Sequence, residues 1–470
     1  MASLKRKVVL VGLARVAAAG AAVAVNIALA RGLSRELNGL VQQALIVANV
    51  AILLGQSGIQ TSCYTFLPRL SAERRRAFFL QSLLLLCGLG FLALGGLWVA
   101  SDALSVEWGN PRLGRLLAAA GGFVFFSIAA SASEAVFLTE ERPVLFLMLT
   151  MSWAVLHAGG VVAMLLLGHP LEWILLAFSA VAALRFVGFA LLAWRVLPGG
   201  GGGPWLERSL VLQQLGFIAP LAVHGGLDVF SRWLDRSMIS TFFSPDQLAV
   251  YTYGALELPF VGILMSAVTP VLLPEFSAAW AAGDRERIVS LWGRATVRTA
   301  ALLLPLMFFL YPLSEAFLQV FYSARYAESS PYLRAYLLLL PVRTIAFTPM
   351  LFALGRPGWV LAGAVIDLAL NLTLSLWLIP PLGMLGPAVG TVLSTWVQAG
   401  LYFVVIGRRL GIGLRRQLPW SRLARLAAEA GLVSLLVWGV AGLGLPALPR
   451  LVLGGGIGAA WAAARLRKLW

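Results

Sequence analysis

The sequence predicts an all-α polytopic membrane protein of about fourteen transmembrane helices, built as two six-helix repeats plus two helices at the C-terminal end. Three observations predict this. The first is composition. Of 470 residues, 60% are hydrophobic and 12% charged, with a mean hydropathy of +0.87, whereas a soluble domain carries about 25% charged residues. The second is a succession of apolar runs near the ~20 residues that cross a hydrocarbon core. The third is an internal repeat. The formal net charge of +16 would suit nucleic acid. The basic residues, however, fall mostly between the apolar runs, where they read as topology signals and contacts to anionic lipid. Nucleic acid is therefore excluded as a partner.

Taken in order, the chain starts with "MASLKRKVVLVGLARVAAAGAAVAV". It imitates a secretory signal, but the apolar stretch contains Arg15 and reaches Ala30, so it predicts an uncleaved span over 8–31. Further spans are predicted at 38–67, 77–100, 113–138, 144–167 and 172–196. After the linker "LPGGGGGPW" (197–205), which cannot hold a helix, come 210–242, 247–273, 290–313 (broken by Pro305 and Pro312), 332–354, 359–379, 386–406, 426–444 and 450–465. Alternate loops with the span ends that flank them, beginning with Lys5, Arg6 and Lys7, carry 24 of the 36 Lys and Arg, the opposite loops and ends 7, and five lie deeper within spans. This bias predicts both termini in the cytoplasm.

The repeat rests on three ordered anchors. "LSRELNGLVQQA" (33–44) corresponds to "FSPDQLAVYTYGA" (243–255), "FLPRLSA" (66–72) to "LLPEFSA" (272–278), and "LTEERP" (138–143) to "ALGRPG" (353–358). Their nearly constant offset predicts bundles at 1–203 and 204–408, with a basic connector and two extra helices at 409–470. Parallel repeats suit a transporter whose halves rock about a central site. Cys63 and Cys87 offer no disulfide framework, and His157, His169 and His224 are too scattered for a metal site. Neither a metal site nor a catalytic residue is predicted.

The stretch "RWLDRSMISTFFSPDQLAVYTYGALELPFVGILMSAVTPVLLPEFSAAWAAGDRERI" (232–288) resembles the multidrug/oligosaccharidyl-lipid/polysaccharide exporter superfamily, and within it the bacterial flippases of lipid-linked oligosaccharides. The carrying features are Asp235-Arg236, Tyr251, Pro274-Glu275 and Gly283-Asp284, with the twelve-plus-two helix plan. The resemblance implies two bundles in a V around a central cavity. It further implies export of an undecaprenyl-diphosphate-linked oligosaccharide across the bacterial cytoplasmic membrane, with a polysaccharide polymerase and glycosyltransferases as partners.

Polar residues inside spans are costly in lipid and mark candidate sites. Asp228, Arg232 and Asp235 lie at i, i+4 and i+7 on one helix face, with Arg236 one turn beyond Arg232. They read as an ion-pair ladder, a wet stripe facing a cavity, or both. Gln42, Asn49, Gln56 and Gln60 form a second stripe, and Asp367, Asn371 and Ser375 a third; hydrogen bonding between helices is the competing explanation for the neutral ones. A diphosphate suits the permanently charged, bidentate guanidinium. The substrate candidates are therefore Arg15, Arg185, Arg232, Arg236 and Arg343, with Asn49, Gln56 and Gln60 toward the glycan. Asp228, Asp235, Glu257 and Asp367 are the candidates for coupling to a proton or Na⁺; no other cofactor is expected. The rivals are a cation-coupled drug antiporter of the same superfamily and a membrane glycan polymerase or ligase. The latter would need catalytic groups in large outer loops, and the longest, 314–331, is short and lacks His.

Overall fold

The computed structural model describes residues 2–56, 58–198, 207–256 and 258–469. Glu257 and most of the glycine linker lie outside them. The described residues form helices and no strand: α1 Ala2–Gly32, α2 Arg35–Gln56, α3 Ile59–Phe66, α4 Ala72–Glu107, α5 Leu113–Thr139, α6 Pro143–Leu166, α7 Leu171–Val196, α8 Arg208–Phe242, α9 Pro245–Gly254, α10 Pro259–Ala281, α11 Arg285–Phe321, α12 Ser330–Leu337, α13 Leu340–Arg343, α14 Phe347–Ala353, α15 Pro357–Leu382, α16 Leu385–Leu410, α17 Leu414–Gln417, α18 Trp420–Ala441 and α19 Ala447–Leu469. Among the described residues twelve helices are long and apolar enough to cross a membrane. The count is thirteen if Ala324–Leu337 and Leu340–Ala353, bent by 45°, form one span. The chain is thus a multi-pass membrane protein. The further span expected at 247–273 corresponds to α9 and the 23-residue α10, several of whose side chains lie outside the described residues.

Two compact units are present, Met1–Ala249 and Val250–Trp470. The division falls inside α9 rather than at the glycine linker, because α8 packs on α2 and α3 of the first unit.

In the first unit α5 is the central helix, packed on α7, α4 and α2. Its sequence explains this: between Ala118 and Ala135 it is rich in Ala, Gly and Ser, which lets neighbouring backbones approach closely in lipid. The Ser179 hydroxyl of α7 donates to the Ala119 carbonyl at 2.7 Å and accepts the Phe123 N–H at 2.9 Å. The single span expected at 38–67 is matched by one candidate span, Arg35–Arg69, built from two helices, α2 and α3. Gly58 has φ +82°, and a Cβ there would lie 3.1 Å from Ile218 and 3.2 Å from Leu221. Glycine alone takes that conformation without strain, so the chain turns where the apolar pattern reads straight through.

The first pair of repeat anchors meets at the start of α2 and α9. Arg35 clamps Asp246 with both arms, Nε–Oδ1 3.0 Å and Nη2–Oδ2 2.7 Å. Beside them Gly39 lies against the Pro245 backbone; a Cβ would fall 1.7 Å from the Pro245 carbonyl oxygen.

In the second unit α11 is central, flanked by α18 and α19, with α10 also against it. Pro305 and Pro312 do not break it; α11 runs unbroken from Arg285 to Phe321. Proline removes one N–H, which at Pro312 frees the Phe308 carbonyl four residues back. The Ser434 hydroxyl of α18 donates to that carbonyl, the kind of repair that lets proline persist in membrane helices. We expect Ser434→Ala to leave the carbonyl unsatisfied and to cost about 1–3 kcal/mol, read as a lowered unfolding midpoint in detergent; an unchanged midpoint would refute this account of the intact helix. The α15–α16 hairpin closes on "GPAVG" (386–390). A Cβ at Gly386 would come 2.7 Å from the Leu378 backbone, and one at Gly390 3.0 Å from the Ser375 nitrogen.

Candidate functional site

Arg185 sits in the middle of α7, roughly 16 Å from its nearer end at 1.5 Å per residue. That is too far for the side chain to reach a membrane surface by snorkelling, so the charge must be met within the protein. Its Nη2 pairs with Glu134 Oε1 of α5, and Gln60 of α3 donates to Glu134 Oε2 at 3.2 Å. The guanidinium carbon lies 4.5 Å from the Trp153 ring centroid and 5.3 Å from that of Phe189. Arg185 and Glu134 keep 19% and 20% of their side-chain surface exposed. Tyr64 of α3 lies near Gln60 and Glu134. Two buried donors in this cluster, Arg185 Nε and Trp153 Nε1, have no hydrogen-bond partner among the described residues. A guanidinium fork of which one arm is held by a carboxylate, an indole face beneath it and spare N–H groups can receive a phosphate and a sugar ring. His157 is packed among rings, 4.5 Å from Phe178 and 5.2 Å from Trp153, in keeping with a structural role.

Of the candidates from sequence, the first unit thus gathers Gln60 and Arg185 around Glu134, while Arg15 of α1 is exposed. Gln56 and Asn49 act otherwise. Gln56 donates to the Ser127 carbonyl at 2.8 Å and Asn49 to the Leu45 carbonyl at 2.7 Å, so these amides tie backbone. Since Gly58 separates α2 from α3, the stripe is interrupted before Gln60.

On α8, Asp228 and Arg232 form an i, i+4 ion pair that is about half exposed. This pair joins the first two of the charges that the spacing puts on one face. Asp235 is only 3% exposed, and the Arg236 guanidinium stacks 5.0 Å from the Trp233 ring. In the second unit, Arg343 ends the short α13 and is exposed. Asp367 of α15 is half-buried near Tyr402, whose hydroxyl donates to the Val360 carbonyl at 3.2 Å. The neutral part of that stripe is spent between helices: Asn371 Oδ1 accepts from Ser375 at 2.9 Å and from Thr391 of α16 at 3.2 Å. Glu257 lies outside the described residues.

Glu134, Tyr64 and Trp153 are not among the candidates that the sequence offers. Partners separated by 51 and 74 residues leave no local spacing signal.

Known proteins place this architecture. The profile of the family described as polysaccharide biosynthesis protein matches residues 28–331, and that of lipid II flippase MurJ matches residues 234–450. A probable lipid II flippase MurJ of Rhizobium meliloti is 28% identical over 240 residues, 49% of this chain and 43% of the relative. A probable low-salt glycan biosynthesis flippase, Agl15, of Haloferax volcanii is 23% identical over 201 residues, 42% of each chain. The matched stretches therefore span less than half the length of these curated relatives. Among solved structures, lipid II flippase MurJ in an inward closed conformation aligns with TM-score 0.74 at 14% identity, covering 99% of this chain and 98% of the other. An inward-facing multidrug resistance MATE transporter aligns with TM-score 0.64 at 15% identity, covering 83% and 94%. The fold agrees with these structures, and the profile match over more than half the chain shows the family: the chain belongs to the polysaccharide biosynthesis protein family.

Proposed function

We propose that the protein is a flippase that carries an undecaprenyl-diphosphate-linked oligosaccharide from the inner to the outer leaflet of the bacterial cytoplasmic membrane, by alternating access and without covalent chemistry. The observation that supports this reading is the cluster around Arg185. It offers a permanent, forked cation for a diphosphate, an aromatic face for a sugar and unused buried donors, all in a helix that lipid surrounds. The names of the matched relatives, flippases of lipid II and of a glycan, point to the same class of cargo. A drug/cation antiporter would instead favour a carboxylate available to the cargo, and here Glu134 is already held by Arg185 and Gln60.

Both termini are placed in the cytoplasm on the charge bias, and a polysaccharide polymerase and glycosyltransferases are the expected partners. For coupling to a proton or Na⁺, Asp228, Asp235, Glu257 and Asp367 are the carboxylates to test. The test is reconstitution in vesicles with fluorescent undecaprenyl-diphosphate oligosaccharide, following its leaflet exchange with and without proton and Na⁺ gradients. Exchange of the labelled lipid supports the reading. Transport of a cationic dye without lipid exchange would replace it by the antiporter, and elongation of the glycan by an enzyme.

A further inference from the structure

A second basic feature stands apart from the Arg185 cluster, inside the second unit. Four arginines, Arg294 and Arg298 of α11, Arg416 of α17 and Arg422 of α18, line one cavity of about 500 Å³, and no acidic residue is among its lining. We propose that this cavity is a binding site for a phosphate-bearing anion, with the headgroup of an anionic phospholipid as the occupant the geometry fits best.

The construction begins with spacing. On α11, Ser290, Arg294 and Arg298 follow one another at four-residue steps, and so do Val289, Gly293 and Val297. One helix face therefore presents a polar row beside an apolar row. Leu418 and Pro419 close the apolar side. Gly293 lets the connector approach, since a Cβ there would stand 3.0 Å from Pro419 Cδ. Pro419 is also the N-cap of the 22-residue α18, so the positive end of a full-length helix opens at the cavity. Guanidinium groups from three helices, a helix N-terminus and an apolar floor are the complement of a phosphodiester attached to an acyl glycerol.

Depth supports the lipid. The 37 residues of α11 extend about 55 Å, against a hydrocarbon thickness of ~30 Å, so its first turns stand in the headgroup region. There Arg294 and Arg298 are exposed. Trp420, at the start of α18, is partly exposed at 38% and donates its indole N–H to the Leu414 carbonyl at 2.8 Å, a placement typical of an interfacial anchor.

The test uses the full chain, purified in detergent and stripped of lipid, titrated with phosphatidylglycerol and followed by native mass spectrometry; a parallel titration uses inorganic pyrophosphate. Arg294→Gln/Arg422→Gln is compared with Arg408→Gln/Arg415→Gln, which removes the same charge outside the cavity. Because all four side chains are exposed, neither pair should disturb folding. The site predicts at least tenfold weaker phosphatidylglycerol binding for the cavity pair, less than twofold for the other, and partial recovery in Arg294→Lys/Arg422→Lys. If pyrophosphate shows that arginine dependence and the lipid does not, the phosphate site stands and its source is soluble. Equal weakening by both pairs, or by neither, overturns the site. Leaflet exchange of the oligosaccharide is read separately, so loss of the flippase reading leaves this result untouched.

Discussion

Gly39→Ala is expected to cost more stability than any other single methyl group added to the first unit. The new Cβ would lie 1.7 Å from the Pro245 carbonyl oxygen, 2.2 Å from its carbon and 2.8 Å from its Cα. All three are backbone atoms, so no rotamer change relieves the overlap, and α2 and α9 must separate. Overpacking a core costs about 1–3 kcal/mol where side chains can adjust; a backbone clash of this depth is expected to reach or exceed ~3 kcal/mol. Separation would also pull Arg35 from Asp246, though that pair, 25% and 40% exposed, adds only about 1 kcal/mol or less. The measurement is the unfolding midpoint in detergent by tryptophan fluorescence, with the yield of monodisperse protein. Gly12→Ala and Gly20→Ala, whose added Cβ would meet nothing within 4 Å, are the controls. A Gly39→Ala protein as stable as these controls would show that the approach of α2 to α9 is not required.

Arg185→Ala is expected to reduce leaflet exchange at least 100-fold. It removes the fork proposed to hold the diphosphate and leaves Glu134 as a carboxylate only 20% exposed without its cation. Breaking a buried pair by deleting one partner costs about 3–5 kcal/mol; with one fifth of each side chain still exposed, about 2–3 kcal/mol is the expected loss of stability. Structure and transport are separated by the double variant Arg185→Ala/Glu134→Gln. Removing the orphaned charge should restore most of the stability, while exchange stays low because the fork is still missing. Arg185→Lys keeps the charge but not the two-armed geometry or the stacking on Trp153, and is expected to fall between. If exchange returns together with stability in the double variant, Arg185 serves the fold alone and the diphosphate reading loses its support.

How legible each level was follows from the range of the forces involved. The helical spans were readable because hydropathy is a local property: a run of about twenty apolar residues specifies its own environment. The resemblance, too, was carried by a contiguous stretch, 232–288. Where the reading failed, a distant group had intervened. Pro312 looks like a break until Ser434, 122 residues later, supplies the missing donor to Phe308, a bond spanning 126 residues. The run 38–67 is one span as expected, but the turn at Gly58 that divides it into α2 and α3 leaves no mark in hydropathy, because glycine is neutral there and its neighbours Ile218 and Leu221 are far along the chain. Asn49 and Gln56 share a face with Gln60, yet Asn49 turns back to the Leu45 carbonyl of its own helix, and Gln56 bonds to the Ser127 carbonyl 71 residues away.

By itself the sequence determined that the chain is helical and membrane-embedded, because desolvation of the peptide backbone in lipid leaves a helix as the way to satisfy an apolar run. It also singled out Arg15, Gln60 and Arg185, since charge and amide groups within such runs are rare. Only the tertiary structure decided which of these meet, that Glu134, Tyr64 and Trp153 join them, and that four arginines from three helices converge on one cavity. A helix places a side chain on a face but does not choose the face opposite; that choice is made by interhelical packing, through contacts between residues far apart in the chain.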